Sequence, residues 1–82
     1  MTPGADATEL NLRGLKCPLP TLKVRKALAS MLPGARVSVT CTDPMSMIDI
    51  PNLVAQTGDL IRDQLADAGE YHFVLEKAAP SP

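Results

Sequence analysis

Prolines limit most strongly where this 82-residue chain can form helices. A proline fits the first turn of a helix, where its missing N–H is not needed, and disrupts the helix interior. Pro18 and Pro20 therefore predict a helix that begins beside them, and Pro33 with Gly34 predicts its end. Pro51 is expected in an early turn of a second helix.

Between these limits the apolar residues recur at helix or strand spacing. A stripe of period 3.6 predicts the first helix, and another predicts a helix over about residues 46–57, ended by Gly58. Alternation predicts strands over residues 8–13, 36–42 and 71–77. The residues expected to face the core are Leu10, Leu12, Val24, Ala27, Leu28, Met31, Val37, Val39, Cys41, Ile50, Leu53, Val54, Tyr71, Phe73 and Leu75. This order of elements implies a sheet with helices packed on one face.

Residues 59–68 are ambiguous in their periodicity. Helical spacing connects Ile61, Gln64, Leu65 and Ala68. Strand alternation would give this segment a less regular apolar face. The spacing alone therefore favours a helix over this segment.

Length and composition indicate one small folded domain, residues 8–77, with flexible tails at residues 1–7 and 78–82. The first residues lack the features of a signal peptide, and no apolar run is long enough to span a membrane. We therefore expect a cytoplasmic chain, monomeric when free, whose two cysteines stay reduced. With two cysteines and one histidine, no metal site is expected, and no cofactor is predicted.

The charges are unevenly distributed along the chain although the net charge is only −1. Six bases and no acid lie between Glu9 and Asp43, and mostly acids follow. This pattern predicts either two solvated faces or a basic surface that docks an acidic partner. The near-neutral total argues against direct binding of nucleic acid. The bases between Glu9 and Asp43 are Arg13, Lys16, Lys23, Arg25, Lys26 and Arg36.

Cys17 is the candidate reactive residue because it directly precedes the predicted helix. Unpaired N–H groups and the helix dipole favour a negative charge there, as would the neighbouring Arg13 and Lys16. We therefore expect the pKa of the Cys17 thiol to be lowered. Pro18 and Pro20 are expected to fix the backbone so that the remaining N–H donors point to one position. They are also expected to keep the thiol at the surface. The alternative is a buried, unreactive cysteine.

The other candidate residues have simpler interpretations. Cys41 shares a strand face with core residues and is read as structural, with a resolving thiol for Cys17 as the alternative. His72 is expected on the opposite strand face, in solvent, and a general base is the alternative. Asp43 and Asp49 are interpreted first as turn and cap residues, and a catalytic role is the alternative.

The motif residues together resemble a known family. Leu12-Arg13-Gly14-Leu15-Lys16-Cys17-Pro18-Leu19-Pro20, followed by Leu22-Lys23 and Arg25-Lys26-Ala27-Leu28, is similar to the signature of the TusA/SirA/YedF sulfur-carrier proteins, with its Cys-Pro-x-Pro motif. Thr42-Asp43-Pro44, Asp49-Ile50-Pro51, Gly58 and the Tyr71-x-Phe73 strand resemble later parts of that family. The resemblance covers about residues 9–77.

This resemblance implies an α/β two-layer sandwich of order βαβαββ, with a four-stranded mixed sheet and both helices on one face. It therefore implies a strand over residues 59–68. It also implies that Cys17 accepts sulfane sulfur as a persulfide and relays it. The implied donor is a cysteine desulfurase, a rhodanese or a DsrE-like protein. The implied acceptor lies in tRNA thiolation, molybdenum cofactor synthesis or sulfur oxidation.

In this interpretation the chain is a sulfurtransferase-like carrier that acts only with partner proteins. The basic residues Lys16, Lys23, Arg25 and Lys26 would dock those partners, so association should weaken with salt. Two other functions remain open. Cys17 could be a redox sensor within a regulatory interaction module. A third interpretation is an RNA-binding module, but the acidic pI and the scarcity of aromatic residues argue against it.

Overall fold

A computed structural model describes residues 7–79, which form four strands and two helices. The elements are β1 (Ala7–Leu12), α1 (Leu19–Ser30), β2 (Arg36–Cys41), α2 (Ser46–Thr57), β3 (Leu60–Asp67) and β4 (Glu70–Glu76). Most of the two predicted tails, namely residues 1–6 and 80–82, lies outside the described residues. Neither helix in the described part of the chain is long and apolar enough to cross a bilayer.

The four strands form one mixed sheet in the order β1-β2-β4-β3. β1 and β2 are parallel, whereas β4 is antiparallel to both β2 and β3. Leu12 at the end of β1 is level with Cys41 at the end of β2. The loops that leave these two strands therefore start side by side, and this places the start of α1 near the start of α2.

The core lies between one face of the sheet and the two helices, as the apolar spacing predicts. Alternate residues of the strands supply one side of the core, and the apolar stripes of α1 and α2 supply the other. The buried apolar residues are Leu12, Val24, Leu28, Val37, Val39, Cys41, Ile50, Leu53, Val54, Phe73 and Leu75. Burying side chains of this size contributes roughly 1.5–3 kcal/mol each to folding.

α1 begins where the prolines allow it to begin. Pro18 is the N-cap residue and Pro20 lies in the first turn, so neither proline interrupts a helical hydrogen bond. Pro20, Val24 and Leu28 are buried along one side of the helix. The helix ends at Ser30, before Pro33, as predicted.

α2 spans the predicted residues, but one detail of its first turns differs from the prediction. Pro51 lies in an early turn as predicted, although it is inside the helix, so the Met47 carbonyl receives no hydrogen bond from an N–H at position 51. Asp49 lies in the first turn and makes no cap, since the N-cap residue is Met45. Gly58 ends the helix in the left-handed conformation, with φ of 80°.

Residues 60–67 form strand β3. The helix predicted from periodicity is therefore wrong, and the strand implied by the family resemblance is confirmed. A β-bulge between Ile61 and Asp63 explains the misleading pattern. Ile61 is level with Leu75, and after the bulge Gln64 is level with Phe73, so Ile61 and Gln64 share the core face. The bulge therefore gives an edge strand a spacing of three, which resembles a helix.

Candidate functional site

Cys17 lies in the loop between β1 and α1, two residues before the helix begins. Its side chain is exposed and its thiol is free, and the peptide bond to Pro18 is cis. The other cysteine, Cys41, is also free but 0% exposed. Of these two thiols, only that of Cys17 can meet a reagent or a partner protein without unfolding.

Asp43, in the loop after β2, holds the backbone of Cys17 in place. Its Oδ2 accepts the Cys17 N–H at 2.6 Å, and its Oδ1 accepts the Met45 N–H at 3.1 Å. These two hydrogen bonds, together with the positive charge of Lys16, lower the pKa of the Asp43 carboxyl. A second link joins the same two loops, because the Gly14 N–H donates to Thr42 Oγ1 at 2.9 Å.

Asp49, in the first turn of α2, contacts the thiol itself. Cys17 Sγ donates a hydrogen bond to Asp49 Oδ2 at 3.2 Å. This bond stabilises the protonated thiol, so it raises the pKa of Cys17, and desolvation and the charges of Asp49 and Asp43 act in the same direction. The expectation of a lowered pKa for Cys17 is therefore wrong.

The start of α1 provides fewer donors to Cys17 than the sequence suggests. Pro18 and Pro20 have no N–H, and the Leu19 N–H already donates to the Lys16 carbonyl at 2.9 Å. Within residues 7–79, the first turn therefore keeps only the Thr21 N–H without a backbone acceptor. The thiol is exposed beside the two prolines, but the donors that would stabilise a thiolate are largely absent.

The two bases expected to support Cys17 act on other residues. Arg13 forms a two-pronged ion pair with Glu70, with N–O distances of 2.7 and 3.1 Å. This pair raises the pKa of Arg13 and lowers the pKa of Glu70. Lys16 acts on Asp43, whose pKa its charge helps to lower. The neighbours of Cys17 in sequence are thus engaged by carboxylates from elsewhere in the fold.

The three bases expected to dock a partner are exposed, but they do not share one face of α1. Lys23 and Lys26 line a shallow depression beside Leu10 of β1. Arg25 lines a different cleft, of about 260 Å³, between α1 and α2, together with Asp49 and Pro18. Only Arg25 therefore borders the same cleft as the carboxylate that binds the Cys17 thiol.

Cys41 and His72 occupy the positions that the strand alternation predicts. Burial raises the pKa of the Cys41 thiol, which makes it unreactive. His72 lies on the uncovered face of the sheet, where Nδ1 is 3.1 Å from Thr40 Oγ1 and Nε2 is 3.5 Å from Glu70 Oε1. These contacts place the ring away from the helix side of the sheet. Among the described residues, no hydrogen bond links it to Cys17.

The contacts that Asp43 and Asp49 make with Cys17 were not predicted from the sequence, although the hydrogen bond from the Met45 N–H confirms Asp43 as a turn residue. Asp43 lies in the loop before α2 and Asp49 lies in the first turn of α2, and an aspartate at either position is usually a turn or cap residue. The signal that could have found them is topological. If β1 and β2 are parallel neighbours, the segment after β2 lies beside the segment after β1 and can reach Cys17.

Exposed apolar side chains adjoin these residues in sequence. Leu19, two residues after Cys17, is 46% exposed, and Met45 and Ile48, between Asp43 and Asp49, are 46% and 57% exposed. Large apolar side chains beside a reactive group are typical of protein-binding surfaces. We call Leu19, Met45 and Ile48 the apolar rim of the site.

Comparison with known proteins gives one family. Residues 8–77 match the family described as Sulfurtransferase TusA. A sulfur carrier protein TusA of Allochromatium vinosum is 37% identical over 70 residues, which cover 85% of this chain and 92% of that protein. A sulfur carrier protein TusA of Pseudomonas aeruginosa is 33% identical over 79 residues, covering 96% and 99% of the two chains.

A solved structure has the same fold. The SirA-like protein of Desulfitobacterium hafniense superposes with a TM-score of 0.76, covering 88% of this chain and 99% of that chain. The two sequences are 22% identical, so this likeness bears on the fold alone. It agrees with the mixed four-stranded sheet and two helices described above.

Proposed function

The chain belongs to the TusA sulfurtransferase family, and we propose from this premise that it is a sulfur carrier that holds sulfane sulfur as a persulfide on Cys17. The observation that carries the assignment to Cys17 is the contrast between the two thiols. Cys17 is exposed in a loop fixed by Asp43, whereas Cys41 is completely buried. A group that accepts sulfur from one protein and gives it to another must be reachable by both.

The loading step is a thiol–persulfide exchange. Cys17 Sγ bonds to the terminal sulfur of a persulfide on the donor, and the S–S bond of the donor breaks. The electron pair of that bond goes to the donor cysteine, which leaves as a thiolate and takes up the proton that Sγ loses. Delivery repeats the same exchange, with an acceptor group attacking the terminal sulfur of Cys17–S–SH.

The proposed reaction depends on partner proteins. The raised pKa of Cys17 leaves little thiolate in the free chain at neutral pH, so the carrier has little reactivity of its own. We propose as donor a cysteine desulfurase, a rhodanese or a DsrE-like protein. The acceptor would belong to tRNA thiolation, molybdenum cofactor synthesis or sulfur oxidation. We place the reaction in the cytoplasm, where thiols are kept reduced.

Docking would combine an apolar contact with charge. The apolar rim, Leu19, Met45 and Ile48, is exposed close in sequence to the reactive residues and would be buried against the partner. The exposed bases Lys23, Arg25 and Lys26 on α1 would steer an acidic partner towards this rim. A redox sensor, the rival function, would require a low-pKa thiolate at Cys17, and the hydrogen bond to Asp49 opposes this.

Persulfide loading tests the proposal directly. The chain is incubated with a cysteine desulfurase and cysteine and then weighed by intact-protein mass spectrometry. The wild type should gain one sulfur atom, which a reductant removes, and Cys17→Ser should gain none. Cys41→Ala is the matched control and should load like the wild type, since Cys41 is inaccessible in the folded chain.

Two results would contradict the proposed carrier function. If neither a cysteine desulfurase nor a rhodanese loads the wild type, the carrier function is rejected. If peroxide oxidises Cys17 in the absence of any sulfur donor, with loss or gain of a partner contact, the redox sensor takes its place.

A further inference from the structure

The contact between the Cys17 thiol and Asp49 is specific to the sulfur-free state. A thiol donates a hydrogen bond only while it is protonated, and Cys17 Sγ lies 3.2 Å from Asp49 Oδ2. Asp49 is half-buried in the first turn of α2, so the helix limits how far its carboxylate can move away. The free chain thus stabilises its empty thiol with a charged acceptor.

The charges that act on the Cys17 thiol itself are those of Asp49 and Asp43, and both are negative. Asp43 adds a second carboxylate, which binds the Cys17 backbone N–H. Lys16 acts on Asp43, and Arg25 borders the same cleft as Asp49. Among residues 7–79, no ion pair forms to the Asp49 carboxylate, so its charge is not neutralised by a direct partner.

On the basis of the proposed carrier function, we propose that Asp49 sets the balance between the empty and the loaded carrier. Its carboxylate binds the protonated thiol of the empty state and repels the persulfide anion of the loaded state. A persulfide is a stronger acid than the thiol from which it forms, so the loaded group is largely anionic at neutral pH. Asp49 therefore keeps the bound sulfur available for transfer.

The overall exchange shows where the charge moves. A persulfide anion R–S–S⁻ and the Cys17 thiol become a thiol R–SH and the Cys17 persulfide anion. The bond between Sγ and the terminal sulfur forms, the S–S bond of the donor breaks, and the proton passes from Sγ to the donor sulfur. One negative charge thus moves from the donor to a position beside Asp49, and no further oxidant or reductant is involved.

Asp49→Asn tests this role because it removes the charge and keeps the shape of the side chain. The probe is a defined mixture of glutathione persulfide and glutathione at pH 7, and mass spectrometry gives the ratio of loaded to empty chain at equilibrium. We expect a ratio about fivefold higher than in the wild type, the effect of one unit charge about 4 Å away in water. Glu9→Gln is the matched control, since Glu9 is an exposed carboxylate on β1, and should leave the ratio unchanged.

A second readout needs no sulfur. The rate at which iodoacetamide alkylates Cys17 follows the thiolate fraction, so Asp49→Asn should be alkylated several-fold faster than the wild type at pH 7. In urea both differences should vanish, because the unfolded chain no longer brings Asp49 to Cys17. Asp49→Ser, which also removes the charge, should behave like Asp49→Asn.

The outcomes separate this inference from the carrier function. If the wild type loads sulfur but Asp49→Asn shows the same or a lower loaded ratio, the role of Asp49 is rejected and the carrier function stands. If the wild type takes no sulfur from a protein donor, the carrier function is rejected. The alkylation rates then still measure the effect of Asp49 on the Cys17 thiol. Equal alkylation rates in the wild type and in folded Asp49→Asn would also reject the role of Asp49.

Discussion

Asp43 links the loop of Cys17 to the start of α2, so its ionisation is coupled to folding. Its carboxylate accepts the backbone N–H groups of both Cys17 and Met45, which lowers its pKa in the folded chain. A carboxyl whose pKa is lower in the folded than in the unfolded state stabilises the fold above the unfolded value of about 3.9. This stabilisation is lost as the pH falls through the folded pKa. The ion pair with Arg13 also lowers the pKa of Glu70 in the folded chain, so the ionised Glu70 stabilises the fold in the same way.

Asp43→Asn should therefore destabilise the chain in a pH-dependent way. The amide keeps an oxygen acceptor but loses the charge, so the free energy of unfolding should drop at pH 7. The gap to the wild type should narrow as the wild-type carboxylate is protonated, below about pH 4. Urea unfolding at a series of pH values measures this gap, and Glu9→Gln should show none. A gap of equal size at pH 7 and pH 2 would show that the charge of Asp43 is not what stabilises the loop.

The end of α2 determines how β3 enters the sheet. Gly58 has φ of 80°, and its N–H donates to the carbonyls of Ala55 and Val54. Directly after it, Asp59 is buried and accepts hydrogen bonds from Thr57 Oγ1 at 2.7 Å and from the Ala78 N–H at 2.9 Å. The turn from α2 into β3 is thus closed by backbone geometry and by one buried carboxylate.

Gly58→Ala tests the backbone part of this turn. A Cβ at position 58 meets no atom within 4 Å, so the cost is that of the left-handed conformation alone. We expect a loss of about 1–2 kcal/mol in the free energy of unfolding. Gly58→Asn should lose less, because asparagine adopts this conformation more readily. Equal stability of Gly58→Ala and the wild type in urea would contradict the assigned backbone geometry.

Across the whole molecule, the bases of α1 lie on two different parts of the surface. Lys23 and Lys26 border the β1 side of α1, whereas Arg25 faces the cleft shared with Asp49. A partner that binds beside Cys17 would therefore meet both the Arg25 base and the Asp49 carboxylate in one cleft. Such a surface orients a partner more than it tightens its binding.

Removing two of the bases together should weaken docking without changing the chemistry at Cys17. For Lys23→Gln with Lys26→Gln, we expect the KM for a protein sulfur donor to rise about 3- to 10-fold at low ionic strength, with kcat unchanged. The difference should disappear near 1 M salt, where the Debye length is about 3 Å. Arg62→Gln, an exposed base on the edge strand β3, is the control and should leave KM unchanged. A KM that does not change would remove Lys23 and Lys26 from the docking surface.

Short-range patterns were enough to predict most elements of this fold. Prolines and apolar periodicity located α1, α2, β1, β2 and β4, because these elements each bury one regular face. The strand β3 could not be read in this way. It lies at the edge of the sheet, most of its side chains are exposed, and the bulge at Arg62 shifts which residues face the core. Only its pairing with β4 makes it a strand.

The residue order by itself predicted Cys17 as the candidate reactive group, since a cysteine directly before a proline-bounded helix is a local feature. The chemical state of that thiol was decided by the tertiary structure. Asp49 is 32 positions away in the chain and Asp43 is 26 positions away, yet both contact Cys17. They reach it because β1 and β2 run parallel and end side by side. Electrostatic effects act through space, and a charge that arrives from a distant segment reverses the pKa shift that the neighbouring bases predict.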